Sequence, residues 1–66
     1  MMSVDTVRER TIILKKLWNR NHDAHTIKIL LNQLTNDIVF FLGKKLPPDL
    51  EKEIDELEKE VSKYDD

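Results

Sequence analysis

The chain has 66 residues, 39% of them apolar and 36% charged, with one glycine, two prolines and a formal charge of −2. That balance is too hydrophobic for a disordered segment and too rich in Leu, Ile, Glu and Lys for a sheet protein, which leaves one small, mostly helical domain spanning 1–66. A fold this short buries only about 60% of the surface its unfolded chain exposes, and the absence of cysteine excludes disulfides and thiolate metal sites as staples, so stability must come from helix packing or from oligomerisation.

The N-terminal MMSVDTVRER has no apolar core and carries acids, unlike a secretory signal. In the segment that follows, Val4, Val7, Leu14, Leu17 and Trp18 recur at spacings of three and four, with Thr11 filling the gap, which predicts helix 1 over about 4–20. Ser3 or Asp5 is the expected cap. The tract Asn19-Arg20-Asn21-His22-Asp23 then combines weak helix formers with good turn residues.

Helix 2 is expected over about 23–42, with Ile27, Leu30, Leu31, Leu34, Ile38, Phe41 and Leu42 on one broad apolar face. Gly43 suits the left-handed residue that ends a helix, and Lys44 and Lys45 suit the negative end of its dipole. The run Ile38 to Leu42 is the longest uninterrupted apolar stretch, far below the ~20 residues that span a bilayer. Leu46-Pro47-Pro48 cannot continue the helix. Helix 3 is expected over about 48–64, with acids in its first turn and a narrow seam of Leu50, Ile54, Leu57, Val61 and Tyr64.

Three helices of similar length with short connections predict an all-α, antiparallel three-helix bundle; the alternative is a helical hairpin completed by dimerisation. Charge supports the closed bundle. Residues 1–20 carry five bases against two acids, and residues 47–66 carry nine acids against three lysines, so helices 1 and 3 should attract one another when they lie side by side.

Chemistry has few footholds. His22 and His25 lie three apart with Asp23 between them, types that ligate zinc, and the doublet His22-Asp23 resembles the paired metal ligands of phosphohydrolases built around an HD doublet. Such sites need further His and Asp ligands, and the chain has no third histidine, so Asn21 or Asp23 capping a helix with the histidines flanking the turn is the expected role. One glycine cannot make a phosphate loop, and Ser3 and Ser62 sit near the ends of the chain. No enzyme, cofactor, metal or small-molecule substrate is expected.

Several apolar side chains fall outside the core faces. Ile29 and Phe40 share a line on helix 2 away from its main stripe, Ile12 lies opposite the apolar face of helix 1, and Val39 flanks the stripe of helix 2. The expected function is therefore protein–protein interaction, by a cytoplasmic regulator, adaptor or inhibitor that buries Ile12, Trp18, Ile29 and Phe40 against a partner, either a second copy in a homodimer or another protein. The alternative is a nucleic-acid-binding regulator whose helix 1 contacts phosphates through Arg8, Lys15, Lys16 and Arg20; the acids of helix 3 oppose it.

Overall fold

The computed structural model describes residues 2–43 and 45–64, and over these the chain is a closed bundle of three helices with no strand: α1 (Val4–Asn21), α2 (Ala24–Leu42) and α3 (Pro48–Ser62). Each helix starts and stops for local reasons. Ser3, in extended backbone, accepts from the Thr6 N–H through its hydroxyl oxygen at 3.2 Å and caps α1. Asp23 does the same for α2, accepting from the Thr26 N–H at 3.3 Å. Pro48 opens α3 without a side-chain cap, its missing N–H costing nothing at a position that has no helical acceptor, and Asp49 and Glu51 supply the negative charge that the dipole favours there. Gly43 ends α2 in the left-handed region, φ 59°, with its N–H donating to the Ile38 carbonyl at 3.1 Å. Lys44, expected near the same helix end, lies outside the described residues.

Only His22 and Asp23 separate α1 from α2, so the chain must double back and the two helices run antiparallel. A longer connection then returns α3 alongside both, and all three helix pairs pack together. Their common core is Val7, Leu14, Trp18, Ile27, Leu31, Leu34, Ile38, Leu50, Ile54, Leu57 and Val61, with Ala24 at the α1–α2 turn. Thr11 is the one buried polar side chain among the described residues, and its hydroxyl donates to the Val7 carbonyl at 2.8 Å, so no uncompensated group enters the core. The core closes within one chain and needs no second hairpin to complete it.

Charge decides how the bundle is laced. Arg8 pairs with Asp49 at 3.4 Å and Lys15 with Glu53 at 2.8 Å, tying the basic α1 to the acidic α3 in a parallel sense. Arg10 reaches Asp37 on α2 at 2.9 Å. Partly exposed pairs of this kind contribute about 0–1 kcal/mol each, so they select the arrangement more than they hold it.

Three side chains depart from their sequence-based places. Phe41, expected on the core face of α2, is 58% exposed. At 100° per residue it stands roughly 60° from the centre of that face. By the register of the Arg10–Asp37 pair only the first turn of α1 lies opposite it, too little to cover a phenyl ring. Tyr64, expected as the last residue of the α3 seam, is 63% exposed, because α3 stops at Ser62 and its final turn tightens. There the Lys63 and Tyr64 N–H groups donate to the Glu60 and Val61 carbonyls, three residues back rather than four, and Tyr64 lies past the end of the helix against the rim of Trp18. Trp18, expected among the partner contacts, is 2% exposed and belongs to the core. It shares one face of α1 with Val7, Thr11 and Leu14, and that face is the buried one.

Candidate functional site

The histidine turn is a structural joint. His22 holds φ 51° and ends α1, its N–H donating to the Trp18 carbonyl at 3.0 Å. Its ring lies 4.6 Å from that of Trp18, and Tyr64 closes the group at 5.4 Å from Trp18. Asp23 is fully engaged by one residue: Oδ2 accepts from the Thr26 hydroxyl at 2.8 Å and Oδ1 from the Thr26 N–H. These two bonds, with a smaller contribution from His25, hold the Asp23 carboxyl below its ordinary value of 3.8. His25 is exposed, one residue into α2. Among the described residues no three His, Cys, Asp or Glu side chains gather where they would hold a metal ion.

The basic candidates on α1 divide. Arg8 and Lys15 face α3 and are paired with its carboxylates, while Lys16 and Arg20 are exposed. A phosphate backbone approaching Arg8 and Lys15 would have to displace Asp49 and Glu53 and would meet the rest of the α3 acids beside them. A cleft of about 280 Å³ between α2 and α3 runs past Thr35, Val39, Leu46 and Glu58, with the Thr35 hydroxyl donating to Glu58 at 3.1 Å. It is smaller than an ordinary ligand pocket, and the hydroxyl–carboxylate contact on its wall joins α2 to α3.

The surface that stands apart is the outer face of α2. Its exposed residues — His25, Thr26, Ile29, Asn32, Gln33, Asn36, Val39, Phe40 and Phe41 — include no Asp, Glu, Lys or Arg. The two charged residues of α2, Lys28 and Asp37, are half-buried on its flanks, and Asp37 is paired with Arg10. By contrast seven of the nine exposed residues of α3 are charged, five of them acidic. Phe40 is 82% exposed and packs edge-on against Phe41 at 4.9 Å; Ile29, 47% exposed, shares its line on the helix. Ile12 is exposed too, but it stands one turn from both Arg8 and Lys15, on the face of α1 that pairs with α3. Its neighbour Ile13 instead borders the outer α1–α2 groove with Arg10, Leu17 and Leu30. Ile13 has a sequence signal: successive helix residues stand 100° apart, so Ile12 and Ile13 cannot both face a core that already takes Thr11 and Leu14.

No protein-family model matches the chain, and no curated protein or solved structure is similar to it at a significant level. Among the described residues no helix is long and apolar enough to cross a membrane.

Proposed function

We propose that the protein is a non-catalytic interaction module, a small regulator, adaptor or inhibitor that docks a protein chain on the outer face of α2. The observation that carries this reading is the complete lack of charge on the exposed residues of α2, with a phenyl ring 82% open to water, in a chain whose residues are 36% charged. Scattered exposed apolar residues are ordinary. A helix face kept free of charge from end to end, with its aromatic residues outermost, has the composition of an interface centre.

The test is capture from native cells with two baits, the wild-type chain and an Ile29→Asp/Phe40→Asp double variant. Both substitutions are at exposed positions, so the variant is expected to keep the wild-type melting curve. Proteins held by the wild type and lost by the variant support the docking face; equal capture by both baits contradicts it.

A further inference from the structure

Resting on the reading that the outer face of α2 is a docking surface, we propose that its occupant is a second copy of this chain, paired α2 against α2 in antiparallel register about a two-fold axis between Gln33 and Asn36. The spacing along the back of the helix is the first argument. Ile29, Gln33, Asn36 and Phe40 follow one another at intervals of four, three and four, the knob positions of a two-helix seam. The pattern is symmetric about its midpoint, apolar at both ends and amide at both central positions. In an antiparallel pair Ile29 of one protomer meets Phe40 of its partner at each end, and Gln33 meets Asn36 twice at the centre. An interface between identical patches requires this kind of self-complementarity, and central amides fix register and orientation by hydrogen bonding across the axis.

Charge is the second argument. Self-association on α3 would set acids against the same acids, since five of its exposed residues are acidic and two are lysine. The back of α2 sets no like charges together, and it leaves both α3 helices on the far sides of the assembly.

Area sets the strength. Nineteen residues make a helix about 28 Å long, the length of the whole 30 Å molecule, and half the circumference of a helix about 11 Å across is about 17 Å. Two such faces bury roughly 1,000 Å², the lower bound for a specific interface. The dimer is therefore reversible and depends on concentration.

Sedimentation equilibrium of the full chain over a wide concentration range should show a mass rising from monomer towards dimer, and the Ile29→Asp/Phe40→Asp variant should stay monomeric. Register is tested by oxidising single-cysteine variants, which the cysteine-free chain permits. An Ile29→Cys chain mixed with a Phe40→Cys chain should give the mixed disulfide, with the second Ile29–Phe40 contact of that heterodimer intact. Each variant alone should fail to cross-link, because its two cysteines sit about 16 Å apart along the axis, beyond the ~7 Å between Cα atoms that a disulfide spans. A wild type monomeric at all concentrations, or like-to-like disulfides in place of the mixed one, would overturn the proposal. If the wild type is monomeric yet still captures a foreign protein that the double variant loses, the docking surface stands and only its occupant is wrong. If capture is unchanged as well, both fall.

Discussion

His22 sits in a backbone conformation that costs an ordinary L-residue about 1–2 kcal/mol, at a helix end where glycine is the usual choice. The ring's stack on Trp18 offsets that cost, since aromatic pairs contribute about 0.5–1.5 kcal/mol. Two substitutions separate the contributions. His22→Gly removes strain and stack together and should leave stability within about 0.5 kcal/mol of wild type, whereas His22→Ala keeps the strain, loses the stack and should cost about 1 kcal/mol in chemical denaturation. Equal losses for both would show that the backbone strain is not there. Asp23 carries the pH dependence of the same joint. Its folded carboxyl titrates below the ordinary 3.8, so its cap contributes in full above that value and is lost as the pH falls through the lowered folded value. The Thr26 amide resonance should report that titration, and Asp23→Asn should abolish its acid limb; an Asp23 titrating at or above 3.8 would contradict the cap. The capping role of Asp23 was legible in the sequence, from its place just before the apolar period of α2. The His22–Trp18–Tyr64 cluster was not legible there, since it depends on the tight last turn of α3 bringing Tyr64 back over the α1–α2 joint.

At the scale of the helices, burial and exposure divide α2 sharply, and stability should follow the division. Leu34 is fully buried where the three helices meet, and Leu34→Ala should cost about 3–5 kcal/mol. A 66-residue domain has only about 3–10 kcal/mol in total, so the variant should be largely unfolded or close to it. Ile29→Ala, on the opposite face, should change the stability of the dilute monomer by less than about 0.5 kcal/mol. A large loss at Ile29 in dilute protein would mean that the back of α2 is packed within the chain. The apolar periodicity of each segment was enough to read the helices and most of the core, because a 3.6-residue repeat leaves few alternatives. Phe41 shows where that reasoning stops. Periodicity tells which residues share a face of one helix, but whether the edge of that face is covered depends on how far the neighbouring helix extends. Here α1 offers only its first turn at that level, and Phe41 remains in water.

At the scale of the molecule, the exposed residues of α2 carry no charge, while α1 and α3 carry opposite charges. The opposite charges of α1 and α3 meet inside one chain through Arg8–Asp49 and Lys15–Glu53, an arrangement already implied by the charge asymmetry of the two ends. Salt should accordingly act in two directions. Raising the ionic strength weakens the α1–α3 pairs and should lower the melting temperature of the monomer slightly. The α2–α2 dimer buries no charge and should keep its affinity or gain a little as repulsion between like-charged copies is screened. A dimer that dissociates steeply with added salt would place the interface on the charged helices instead. Trp18 marks the limit of sequence reasoning at this scale. Its spacing with Val7, Thr11 and Leu14 already put it on the apolar face of α1, and the closed packing adds that this face is covered within one chain, leaving Trp18 nothing to offer a partner.

The most direct test of the central claim, that the uncharged back of α2 pairs with the same face of a second copy of this chain, is a concentration series of amide correlation spectra of the wild type. The account predicts progressive shifts on dilution or concentration confined to α2, centred on Ile29, Gln33, Asn36 and Phe40, with the α3 resonances unmoved. Shifts gathered on α3, or spectra that do not change with concentration, would contradict it.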